Sequence, residues 1–165
     1  MDTLALFGIG VAFSFAAWGV VTARYLWPKL RILPKRDALR SLLTLHAFRF
    51  VGLAFLVPGV VGPDLPAAFA RPAAYGDLGA TILALLALAV LATSWGLVVV
   101  WLFNVWGAVD LLYGFYQGLF GVGLSPGSLG AGFFLLTVIV PLLLITHGLT
   151  FRLVLQPALS QTRRG

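Results

Sequence analysis

The stretch Leu78–Gly121, LGATILALLALAVLATSWGLVVVWLFNVWGAVDLLYGFYQGLFG, holds one carboxylate, Asp110, and no basic residue. As a single helix it would be about 66 Å long at 1.5 Å per residue, about twice the hydrocarbon thickness of a bilayer. It must break, and Thr93-Ser94-Trp95-Gly96 is a polar-aromatic sequence short enough to join two antiparallel helices. One span therefore ends near Thr93, and the next runs from Leu97 to about Gly118.

The rest of the 165-residue chain has the same character, with a mean hydropathy of +1.03 and 10% charged residues. No surface of that composition can cover a core with polar groups, so the solvent is a bilayer. An apolar run from Leu4 to Ala23, preceded only by Met1 and Asp2, lacks the basic leader of a cleavable signal and reads as a retained span. Its small residues Gly8, Ala12 and Ala16 form a ridge open to close helix packing. A second span is expected from Ser41 to Gly62, a Pro-rich loop from Pro63 to Asp77, a Gly- and Ser-rich loop from Phe120 to Gly132, and a last span from Phe133 to Arg152, with Pro141 in its middle as a bend. The chain is thus a single all-α, polytopic transmembrane bundle occupying residues 1–165. Five spans are favoured, and a four-span model with Asn104–Gly130 along the interface is the alternative.

Charge orients the bundle. Arg24, Lys29, Arg31, Lys35, Arg36 and Arg40 surround the single acid Asp37, and Pro28 and Pro34 are expected to make that segment a loop. The positive-inside rule puts it in the cytoplasm, with Tyr25 and Trp27 at the interface. With five spans the N-terminus is outside, and the tail bearing Arg152, Arg163 and Arg164 is inside. The basic pI near 10.6 therefore reflects orientation and contact with acidic lipid rather than nucleic acid, since the aromatics that might stack bases lie in the spans.

Five polar residues interrupt the apolar spans: His46, Arg49, Asn104, Asp110 and His147. A charge at membrane depth costs at least about 2.5 kcal/mol, so such residues face a bundle interior, a partner or water. Counted from the inner helix ends, His46 and His147 lie at about 7.5 Å, Asn104 at about 10 Å, Arg49 at about 12 Å and Asp110 at about 20 Å. His46 and Arg49, three apart, share a helix face, while Asn104 is rotated by about 120° from the stripe Trp106, Asp110, Tyr113 and Gln117. The depth difference makes a direct Arg49–Asp110 salt bridge a stretch and leaves Tyr113 and water as nearer partners of the carboxylate.

Three functions fit these residues. In a transport-type protein, Arg49 would hold negative charge of a small polar or anionic ligand, the histidines would relay protons, and Asp110 would titrate near the midplane. In an electron-transfer subunit, His46 and His147 would ligate one b-type haem, with Arg49 at a propionate and Phe48, Phe50, Phe103 and Phe151 around the porphyrin. In a structural or assembly subunit, the same groups would merely hydrogen-bond helices together. A homodimer or larger membrane complex suits the first reading, because five helices make a thin wall around a pathway. The chain has no cysteine and no glutamate, no Gly-x-Ser-x-Gly sequence and no Walker loop, so hydrolase and transferase chemistry has no motif, and an enzyme is not favoured.

The segments WLFNVWGAVDLLYGFYQ at Trp101–Gln117, VPLLLITH at Val140–His147 and LHAFRFVG at Leu45–Gly52 resemble a group of small bacterial multi-spanning membrane proteins of unassigned activity. The resemblance covers about half of the chain. It implies a bacterial cytoplasmic (inner) membrane setting and that these polar positions matter, without assigning their roles.

Overall fold

The structure, a computed structural model, describes residues 2–156. Arg163 and Arg164, used above for orientation, lie outside the described residues. Five helices are long and apolar enough to cross a membrane: α1 (Thr3–Leu30), α2 (Lys35–Leu56), α3 (Ala67–Val90), α4 (Gly96–Gly121) and α5 (Gly132–Leu155). The break at Thr93–Gly96 is where the sequence places it. Gly96 allows that turn because a Cβ there would stand 2.6 Å from the Leu91 carbonyl oxygen.

Three boundaries differ from expectation, and prolines explain all three. Pro28 does not end α1. A wide π-turn over Thr22–Leu26 precedes it, and the Trp27 amide donates to the Thr22 carbonyl, so the ring is taken up inside a continuous helix. Pro141 follows the π-turn Leu135–Ile139 in α5 by the same device. Pro34 stands at the N-terminal edge of α2, which begins at Lys35 rather than Ser41, so the basic loop shrinks to a few residues. Pro72 lies inside α3, which starts at Ala67, eleven residues before the expected Leu78. Asp77 is therefore a helical residue within a span and not the end of a loop.

The second half of α2, Ala47–Leu56, tightens into a 3₁₀ helix, in which residues i and i+3 eclipse. This half packs on α3, α3 packs on α4, and α5 packs against α4 and α1. One apolar layer, including Leu39, Leu43, Ala87, Phe103 and Leu149, fills one end of the bundle. A second, including Phe55, Phe69, Leu111, Leu136 and Leu143, fills the other. On α2, α3, α4 and α5 the polar residues fall between those two layers.

The helix α1 is peripheral. Its Phe7 is buried and Gly10 meets Thr137, while Trp18 Nε1 donates to the Val138 carbonyl in the π-turn of α5 at 3.0 Å. The ridge Gly8, Ala12 and Ala16 is exposed, with nothing near a Cβ built on Gly8, so among the described residues no other helix of this chain packs on it. The helix ends are tied together as well. Lys35 Nζ donates to the Val154 and Gln156 carbonyls at the end of α5, and the Arg152 guanidinium stacks 3.9 Å over the Trp27 ring. At the other end, Gly62 N donates to Ser128 O and Ala131 N to Val60 O, joining the α2–α3 and α4–α5 loops.

Candidate functional site: a buried ionic triad and its histidine

Arg49 projects from the 3₁₀ half of α2 into the gap between the two apolar layers, where its side chain has no exposed surface. All three guanidinium nitrogens are engaged. Nε donates to Asp77 Oδ1 on α3 at 2.7 Å, and Nη2 lies 2.7 Å from the same oxygen and 2.8 Å from Asp110 Oδ2 on α4. Nη1 donates to the Gly107 carbonyl at 3.2 Å and meets His147 Nε2 of α5 at 3.1 Å. One arginine thus ties four helices together.

The direct Arg49–Asp110 bridge corrects the depth argument. Arg49 stands fourteen residues after Lys35, and Asp110 fourteen after Gly96. Starting α2 at Ser41 removes six of those residues, or about 9 Å, which is the whole of the apparent mismatch. Tyr113, the alternative partner, is half exposed on the outward face of α4.

Three glycines make room for the triad. A Cβ on Gly52 would collide with the Asp77 carboxylate and one on Gly76 with that of Asp110, while one on Gly107 would stand 2.6 Å from Arg49 Nη1 and 2.5 Å from His147 Cε1. Each charged group therefore approaches the backbone of a neighbouring helix at a residue without a side chain.

Hydrogen bonding fixes the tautomer of His147. Arginine nitrogens only donate, so His147 Nε2 accepts and the ring proton resides on Nδ1. That N–H donates to Asn104 Oδ1 at 2.7 Å, and Asn104 Nδ2 donates to the His147 carbonyl at 3.3 Å. Asn104 and His147 each lie eight residues from the same-side end of their helices, so the two stand at one level of the bundle. His46 is fully buried beside them, its ring centroid 4.2 Å from that of His147 and 5.0 Å from that of Phe103. Its Nε2 pairs with Thr146 Oγ1 at 3.0 Å, and its Nδ1 has no partner among the described residues.

The five sequence-derived residues are thus brought together as one cluster, and Asp77 is the member the sequence reading missed. Its signal was available in principle. A buried guanidinium between helices calls for counter-charge, and Asp77 follows Gly76 in a segment, Ala67–Asp77, that is apolar apart from Arg71.

The pair His46 and His147 does not fit a haem. A metal–imidazole bond of about 2 Å would set two trans rings about 6 Å apart, centroid to centroid. These rings are 4.2 Å apart, and both nitrogens of His147 are already bonded to protein. Of the four expected shields, Phe103 lies against both imidazoles, while Phe48 and Phe50 face outward with 64% and 48% of their surface exposed. No group of three or more metal-ligating side chains occurs among the described residues.

Residues 6–155 match the family model of a domain of unknown function, DUF8737, and the chain belongs to that family. No curated protein and no solved structure matches it.

Proposed function

We propose that this member of the DUF8737 family is a proton-coupled protein of transport type, with Arg49, Asp77 and Asp110 as its working centre. The observation that carries the reading is a charge count. One guanidinium is shared by two carboxylates within bridging distance of it, so with both acids ionised the triad keeps an uncompensated negative charge at membrane depth. A single proton on the carboxylate pair, or a cation beside it, removes that cost. The engagement of all three guanidinium nitrogens by protein groups favours a proton over an anionic ligand. Arg49 holds the carboxylates, and Asp110 exchanges the proton because its side chain keeps 15% of its surface open. His147 and Asn104 position Arg49 from the far side, and His46, whose Nδ1 has no partner among the described residues, is the next proton site inward.

The reading includes a bacterial cytoplasmic membrane, an N-terminus outside, a C-terminus inside and a homodimer as the working unit; the five apolar helices and the basic residues Arg31, Lys35 and Arg36 at one end support the membrane setting and the orientation. Purified protein reconstituted into liposomes enclosing a pH-sensitive dye tests the reading. A pH step is expected to produce protein-dependent proton movement that Asp110→Asn abolishes. Flux equal to that of empty liposomes, together with carboxyl infrared bands that do not change with pH, would assign the cluster to holding the bundle together.

A further inference from the structure

An open groove of about 570 Å³ runs between the side chains on the outward face of α4, and every residue lining it, Val98, Trp101, Val105, Trp106, Asp110 and Tyr113 among them, belongs to that one helix. Trp106 is 51% and Tyr113 47% exposed, so both present ring surface to an occupant. Asp110 is the charged residue of the lining. Behind it stand Arg49 from α2, with no exposed side-chain surface, and Asp77 from α3, with 14%. From α5 the nearest polar group is His147, on the far side of Arg49, and α4 brings no other charge. An occupant therefore meets the carboxylate first, and the guanidinium that could offset it is shared with Asp77.

We infer that this groove binds a lipophilic organic monocation, with Asp110 as its counter-ion and the rings of Trp106 and Tyr113 as its cation-π walls. The inference rests on the charge count of the proposed function and adds the substrate class. Aromatic faces attract a cation through their quadrupole, most strongly where water is excluded, and an uncompensated carboxylate at the same place selects the same sign. The groove opens sideways on a helix face that is otherwise apolar, so the occupant reaches it through the lipid and must be lipophilic. Binding balances in charge: the cation enters the triad's field, the proton held on the carboxylate pair leaves, and the net charge of the site is unchanged.

The test compares two ions of nearly equal size and opposite charge, tetraphenylphosphonium and tetraphenylborate, on the full chain in phosphatidylcholine nanodiscs. Tetraphenylphosphonium is expected to bind saturably, quench tryptophan fluorescence and release a proton to a pH indicator, whereas tetraphenylborate only partitions into lipid. Trp106→Ala is expected to weaken the cation about tenfold, and Val105→Trp, which fills the groove, to remove binding while circular dichroism confirms an intact helical fold. Equal retention of both ions, or cation binding unaffected by Val105→Trp, overturns the inference. So does a wild-type dimer that Val105→Trp dissociates and that binds no cation, since the face then belongs to a second copy. Proton flux without cation binding overturns the inference alone. Cation binding without proton release or flux overturns the proton-coupled reading and leaves the cation site standing.

Discussion

Arg49 Nη2 and Asp110 Oδ2 are 2.8 Å apart, on helices that enter the bundle from the same side and carry the two residues at the same depth. The bridge is buried, so its two halves are unequal in energetic consequence. Removing one partner strands a charge, and removing the whole set leaves apolar packing. Arg49→Met is therefore expected to cost about 3–5 kcal/mol, because Asp77 and Asp110 then face each other without a cation. The triple variant Arg49→Met/Asp77→Asn/Asp110→Asn is expected to be markedly more stable than Arg49→Met alone. Unfolding of both in mixed micelles by a denaturing detergent measures the difference, and equal losses would mean that the triad is not coupled.

The glycines at the triad give a second expectation that is independent of charge. Gly107→Ala puts a methyl 2.6 Å from Arg49 Nη1, and overpacking of that kind costs about 1–3 kcal/mol. Gly114, one helical stretch further along α4, has nothing within 4 Å of a Cβ, so Gly114→Ala is expected to be neutral or to gain up to about 1 kcal/mol from helix propensity. Thermal unfolding of the two variants in the same detergent separates them. A Gly107→Ala melting temperature equal to that of the wild type would show that α4 and α2 do not approach this closely.

Hydropathy and the turn at Thr93–Gly96 carried the helical class and the number of apolar helices, because both follow from length against bilayer thickness. Helix ends did not follow, since proline was read as a terminator at Pro28, Pro34 and Pro72. In fact π-turns absorb Pro28 and Pro141, and Pro72 lies inside α3 without ending it. The error propagated into the site. Ending the loop at Asp77 hid one carboxylate, and starting α2 at Ser41 separated Arg49 from the other. The residues whose helix ends were read within a few positions, Asn104 and His147, were placed at a common depth correctly. Side-chain facing was legible where spacing alone decides it, as for the rotation of Asn104 from Asp110, and illegible for Gly8, Ala12 and Ala16, whose ridge has no signal of which way α1 turns.

The tautomer of His147 is a spectroscopic expectation. With Nε2 accepting from Arg49 and Nδ1–H donating to Asn104, the ¹⁵N spectrum of histidine-labelled protein should show one ring with a protonated Nδ1 and a bare Nε2, the rarer form. Asn104→Leu leaves that Nδ1–H buried without an acceptor, at a cost of about 1–3 kcal/mol. Asn104→Asp keeps an acceptor and should preserve the Nδ1–H signal. A spectrum in which His147 carries its proton on Nε2 would contradict the Arg49 contact directly.

Labelling of single cysteines tests the frame on which the depth relationships stand, and the absence of native cysteine makes it clean. The α2–α3 and α4–α5 loops are hydrogen-bonded to each other through Gly62 and Ser128, so Asp64→Cys and Ser128→Cys must react with an impermeant maleimide from one side. Ile32→Cys and Ser94→Cys, in the α1–α2 and α3–α4 turns, must react from the other. In the proposed orientation the second side is cytoplasmic, which the positive-inside rule supports because Arg31, Lys35 and Arg36 lie there. In intact cells, Asp64→Cys and Ser128→Cys should therefore label, and Ile32→Cys and Ser94→Cys only after permeabilisation. Labelling of Asp64→Cys and Ser128→Cys from opposite faces would break the parallel entry of α2 and α4, and with it the common level of Arg49 and Asp110.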